Sequence, residues 1–70
     1  MSNNIVSERK RIGLRQSDLA SRLDVSKSTV ERWEQGRGLP NADQLILLHS
    51  IFGCSIDYLL GITDERKARI

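Results

Sequence analysis

Between residues 27 and 32 the chain reads Lys-Ser-Thr-Val-Glu-Arg. Lys27, Ser28, Thr29 and Arg32 are hydrogen-bond donors on one short stretch, and Ser28 and Arg32, four residues apart, share a face if that stretch is helical. Such a set binds acceptors and negative charge; it does not make or break covalent bonds. Catalysis needs an activated nucleophile or an acid–base pair. The chain has one histidine (His49) and one cysteine (Cys54), no motif joining either to an acid, and no phosphate-binding glycine loop. Cys54 beside Gly53 and Ile56 reads as a small core hydrophobe, and no metal site, cofactor or small-molecule ligand is implied. The expected chemistry is recognition, and no enzyme is expected.

The charge distribution says what is recognised. Of 70 residues, 29% are charged, yet the net charge is only +2, which hides an asymmetry. Residues 1–40 hold eight Lys/Arg against five acids, and residues 41–70 hold three against four. A basic first half suits a polyanion, although a solvated charged surface would look the same by charge alone. The hydrophobic share of 39% is low but not that of a disordered chain, and the length allows one small domain. No 18-residue apolar run and no apolar leader core is present, so a reduced, cytoplasmic chain fits, with no membrane partner.

The donor stretch needs elements to hold it. Strict apolar alternation is absent, and no Asn-Gly or Asp-Gly turn occurs, so no strand is expected. Helix signals are abundant. Asn3 or Asn4 caps a first helix running to about Arg11, with Gly13 ending it. A second runs from about Gln16 to Leu23, with Leu19, Ala20 and Leu23 on one buried face and Asp18 in its first turn. Ser26 caps the third, which carries the donors and stops before Gly36. Pro40 breaks the chain. Asn41 and Gln44 form a capping box for a fourth, on which Leu45, Leu48, His49 and Phe52 share a face up to Gly53. Ser55 caps a short fifth, Ile56 to Leu60. The remainder adds a helical turn from Thr63 or frays. Short loops join these pieces into an all-α domain.

The second and third helices are separated only by Asp24-Val25-Ser26, too short for side-by-side antiparallel packing, so they cross steeply as a helix-turn-helix. Val25 and Val30 face inward, and Lys27, Ser28, Thr29 and Arg32 project. A helix front of that kind fits a DNA major groove, with Lys and Arg donating to guanine and Ser or Thr to bases or phosphates. The plainer readings are that Ser28 and Thr29 only cap the helix and that Glu31 and Arg32 are solvated. Trp33 reads as core rather than a base-stacking platform.

The spacing of Arg9, Ile12-Gly13-Leu14, Gln16, Leu19-Ala20, Leu23, Val25-Ser26, Val30, Trp33-Glu34, Gly36, Pro40, Leu45, Leu48, Gly53, Ser55 and Asp57-Tyr58-Leu59-Leu60-Gly61 resembles the phage repressor/Cro-type helix-turn-helix family, the XRE family, over roughly residues 5–61. The resemblance implies a compact five-helix, lambda-repressor-like domain over residues 1–61, with 62–70 a C-terminal tail or the start of a linker. It implies a sequence-specific regulator of transcription, a repressor bound as a homodimer to a palindromic double-stranded operator in a bacterial or phage-infected cell. Residue by residue, it implies base contacts from Lys27, Ser28 and Arg32, with Thr29 and Glu31 less certain. Phosphate contacts fall to Gln16, with Gln35 and Arg37 beside the backbone. Arg9 and Glu34 form a structural ion pair. Lys10 and Arg11 are solvated or distant phosphate contacts.

Four positions depart from the family pattern. Arg15 stands where Ser or Thr caps helix two, and is expected to contact phosphate instead. Asp24 replaces a turn glycine and tolerates the left-handed conformation. His49 stands at a small apolar position and is expected at the core edge. Leu47, usually polar, pairs with Ile51 on a side of helix four away from its core face. Two readings of that pair stand: scattered surface apolar residues, or a self-association patch with Tyr58, Leu60 or Ile62. Since dimers in this family form through the C-terminal helices, Leu47, Ile51, Tyr58 and Leu60 are the candidate dimer contacts. A different class, a protein-interaction adaptor or antitoxin-type module on the same fold, remains as the alternative function.

Overall fold

In the computed structural model, which describes residues 3–67, five helices make up the regular structure: α1 Ile5–Arg11, α2 Gln16–Leu23, α3 Lys27–Glu34, α4 Ala42–Phe52 and α5 Ile56–Leu59. Their starts follow from side chains that take up the first unpaired amides of each helix. Ser26 Oγ accepts from the Thr29 amide at 3.2 Å, and Ser55 Oγ from the Tyr58 amide at 3.1 Å. Asn41 and Gln44 exchange both bonds of a capping box, at 2.9 and 2.7 Å. At α1 the two asparagines divide the work. Asn3 Oδ1 accepts from the Ile5 amide at 3.0 Å, while Asn4 donates from its side chain to the Tyr58 carbonyl at 2.7 Å and ties α1 to α5.

α2 has only half a capping box. Arginine has no acceptor atom, so Arg15 cannot cap. Asp18 supplies the other half, its Oδ2 accepting from the Arg15 amide at 2.9 Å.

The core is made where α2 and α3 cross. Leu19, Ala20 and Leu23 of α2 meet Val30 and Trp33 of α3, closed off by Ile5, Leu48, Phe52, Cys54 and Leu59. Val25 packs beside them from the turn. That turn works because Asp24 takes the left-handed conformation at φ 55°, ψ 44°, and Gly53 at φ 70° does the same at the end of α4.

Several side chains sit elsewhere than their types suggest. His49 is exposed rather than at the core edge. Its Nδ1–H donates to the Cys54 carbonyl at 2.6 Å, two residues past the end of its own helix. Ile51 is half-buried and packs on the core, so it does not continue a free stripe from Leu47; the exposed apolar residues of α4 are Ile46 and Leu47. Arg11 is exposed, as expected, but its guanidinium is also engaged within the fold. It donates to Glu8 Oε1 at 3.2 Å and to the Phe52 carbonyl at 2.7 Å.

The largest difference lies after α5. The segment neither forms a helical turn nor frays up to Lys67; it folds back over α1. Arg66 donates to both oxygens of Glu8, at 2.7 to 3.1 Å, and to the Phe52 carbonyl at 2.7 Å, while its own carbonyl accepts from the Ser55 amide at 2.7 Å. Glu8 is 2% exposed, and the Arg66 hydrogen bonds hold its carboxyl below the usual glutamate range against the effect of burial. The last three residues of the expected tail, 68–70, lie outside the described residues.

Candidate nucleic-acid interface

The first turn of α3 is anchored by one hydroxyl. Ser26 Oγ takes the Thr29 amide and also bonds the hydroxyls of Ser28, at 3.0 Å, and Thr29, at 2.9 Å. This fixes Ser28 on the exposed side and leaves Thr29 half-buried beneath it. Lys27 reaches Glu31 one turn on at 3.8 Å, both side chains well exposed, so the pair is loose enough to exchange for another partner. Arg32 is exposed, and its guanidinium lies beside Gly38, where a Cβ would stand 3.9 Å from Nη2. Val30 and Trp33 point the other way into the core. Helical periodicity thus sorts α3 into a buried stripe and a donor-bearing face.

Next to that face lies a polar depression of about 310 Å³ lined by Arg9, Arg15, Gln16, Ser17 and Lys27. It gathers side chains from α1, α3 and the start of α2, where the unpaired amides and the helix dipole add positive potential. Arg15 is folded over Asp18 at 3.1 Å in an exposed pair, and the Arg15 amide and guanidinium together hold the Asp18 carboxyl below the usual aspartate range. Gln16 donates to Glu34 Oε1 at 2.9 Å. Glu34 in turn takes Arg9 Nε at 2.7 Å and Nη2 at 3.2 Å, with both side chains nearly buried, and Arg9 Nη1 reaches the Leu14 carbonyl at 2.8 Å. Arg37 donates to Gln35 Oε1 in the exposed loop after α3.

Of the residues singled out by sequence, Arg9, Arg15, Gln16 and Lys27 therefore meet around one depression, with Ser28 and Arg32 along the adjoining helix face. Gln35 and Arg37 stand together beyond the end of α3. Sequence reasoning missed Ser17, whose signal was its place in the first turn of α2. It also missed the bond between Gln16 and Glu34, since 18 residues separate them. Leu47, Ile51, Tyr58 and Leu60 do not form one exposed stripe. Leu60 lines a separate, mainly apolar depression of about 260 Å³ with Asn3, Gly36, Leu39 and Ile62.

The family model described as Helix-turn-helix matches residues 5–59, the span from the start of α1 to the end of α5. The chain belongs to the helix-turn-helix family. Its relatives include the repressor protein C2 of Salmonella phage P22, 35% identical over 60 residues, which are 86% of this chain and 28% of that protein. The HTH-type transcriptional activator BcrR of Enterococcus faecalis is 40% identical over 48 residues, 69% of this chain and 24% of that protein. The chain thus spans about a quarter of the length of these curated relatives. Among solved structures, a transcriptional regulator from Listeria innocua superposes with a TM-score of 0.79 at 30% identity, covering 93% of this chain and 64% of that one. The fold is the five-helix, lambda-repressor-like helix-turn-helix domain that the family resemblance implied.

Within this helix-turn-helix domain the chemistry is that of a donor surface. No group of three His, Cys, Asp or Glu among the described residues is placed to hold a metal ion, and no described helix is long and apolar enough to cross a membrane. The Cys54 thiol is 1% exposed, and burial, with Glu8 nearby, pushes it up to about 11, which removes it as a nucleophile near neutrality.

Proposed function

We propose that this chain is a sequence-specific double-stranded DNA-binding regulator of transcription, with α3 in the major groove, and that it acts as a cytoplasmic repressor by occupying a palindromic operator as a homodimer. The observation that carries the reading is the continuity of two surfaces: the exposed donors Lys27, Ser28 and Arg32 on α3, and the cationic depression at the start of α2 beside them. The first has the donor chemistry for base edges and the second for a backbone phosphate. In this reading Lys27, Ser28, Arg32 and Thr29 meet bases, while Gln16, Arg15, Gln35 and Arg37 meet phosphates. The phage repressor among the relatives supports repression, which works by occlusion when two copies cover half-sites about one helical turn apart. About five phosphates neutralised per protomer correspond to a log–log salt slope near −9 for the dimer. Self-association uses the exposed Leu47 with the half-buried Ile51, Tyr58 and Leu60 at its edges.

The test is selection of bound duplexes from a random pool by the 70-residue chain. Enrichment of a two-fold symmetric site is the expected outcome and identifies the operator. A lone half-site removes the dimer from the proposal. No enrichment at low salt, together with no salt-sensitive retention on heparin, overturns DNA binding in favour of the adaptor reading.

A further inference from the structure

We infer that Glu34 is a positioning residue for duplex binding, acting through Gln16, an inference that rests on the reading of Gln16 as a phosphate contact. The Arg9–Glu34 pair alone already holds α1 to α3, through Nε on Oε2 at 2.7 Å and Nη2 on Oε1 at 3.2 Å. That task leaves no need for a third donor. Yet Glu34 Oε1 also accepts from Gln16 Nε2 at 2.9 Å, and Gln16 opens a different helix and lines the cationic depression.

The chemistry of the amide makes this bond consequential. An amide nitrogen carries two hydrogens. Committing one to Glu34 fixes the plane of the carboxamide and leaves the second for another acceptor. A free glutamine gives up side-chain freedom when it meets a phosphate oxygen, and one already held does not. Arg9 makes the arrangement electrostatically permissible. Its charge cancels that of Glu34, so a carboxylate stands next to a phosphate site without repelling the ligand. Arg9 also holds the Leu14 carbonyl at 2.8 Å, so the loop that leads into α2 is fixed by the same group.

A purely structural ion pair makes a different prediction: the contribution of Gln16 to binding would not depend on it. The 70-residue chain is titrated with a mixed-sequence duplex at low salt as four proteins: wild type, Gln16→Ala, the paired swap Arg9→Met with Glu34→Leu, and the combination of all three. Replacing a buried ion pair by apolar groups of similar volume is commonly tolerated, and melting followed by Trp33 fluorescence reports whether the swap is folded. Gln16→Ala is expected to weaken binding about tenfold or more in the native background, the scale of a hydrogen bond to a charged group. In the swapped background it is expected to weaken binding less than about threefold. Equal losses in both backgrounds overturn the positioning role while leaving Gln16 as a phosphate contact. No loss in the native background overturns both. Absence of salt-sensitive binding by the wild type overturns the functional reading itself. If the swap does not fold, Glu34→Gln replaces it: one carboxylate oxygen becomes an amide NH2, leaving two lone pairs for three donors, and the loss for Gln16→Ala is compared between the native and Glu34→Gln backgrounds.

Discussion

Arg32 and Arg15 carry the same charge and are expected to fail differently when removed. Arg32 is exposed on the donor face of α3, and Arg15 lines the depression at the start of α2. Arg32→Ala is expected to cost about 1–3 kcal/mol on the selected operator and to relax preference at one base pair, because a base contact discriminates. Arg15→Ala is expected to weaken all duplexes alike and to reduce the salt slope by about one per protomer. Binding isotherms on operator and scrambled duplexes at several salt concentrations separate the two, and an equal loss on every duplex for Arg32→Ala counts against base reading. Which residues stand at the surface was legible from helical spacing and caps, because both are local properties. Where Arg11 and His49 end was not. Each reaches a backbone carbonyl near the end of α4, at Phe52 and Cys54, and that destination exists only once the chain has folded.

At the level of elements, α1 is bound to two partners by adjacent charged side chains. Through Arg9 it holds α3, and through Glu8 it holds the segment after α5. Arg9→Ala leaves Glu34 nearly buried without its cation, expected to cost about 3–5 kcal/mol, a large part of the stability of a domain this small. Urea denaturation measures it, and a loss below about 1 kcal/mol would mean that the pair is replaced by water. The segment after α5 gives the complementary prediction. A chain ended after Gly61 loses the Arg66 bonds to Glu8 and Phe52, leaving a buried carboxylate with Arg11 as its remaining charged partner. That chain is expected to melt below the full chain in a calorimeter, and Arg66→Ala in the full chain should lower the melting temperature in the same direction. The helices were readable because start and stop signals are written in adjacent residues. The fold-back of residues 62–67 was not, because Thr-Asp-Glu-Arg-Lys has the composition of a solvated tail, and its partner is 58 residues away.

For the molecule as a whole, Glu8 links charge to folding. Its folded carboxyl titrates below the usual glutamate range, chiefly through the Arg66 hydrogen bonds. The unfolded chain therefore takes up the proton first as pH falls. The stabilisation is fully present above the ordinary glutamate value and is lost as pH drops through the folded value. Thermal melts across the acid range are expected to show this limb, and Glu8→Gln to flatten it while lowering stability at neutral pH. An unchanged acid limb would assign the effect to other carboxylates, of which Asp18 has the same sign.

Asp24 lends itself to engineering. It is a side-chain-bearing residue at φ 55°, closing α2 with a carboxylate at the end of the helix where the dipole is already negative. Both features oppose the native state locally, so the turn between the two helices that define the fold holds unused slack. Asp24→Gly relaxes the backbone and removes the charge together. It is expected to raise stability by about 0.5–1 kcal/mol, partly offset by the greater freedom of glycine in the unfolded chain, which a shift in the denaturation midpoint at constant slope would register. In the proposed complex, the same change takes an exposed negative charge out of the turn that leads into α3, which favours a polyanionic partner. The variant that tightens the fold is then also the one that tightens the grip, and the usual trade between robustness and activity is absent at this position.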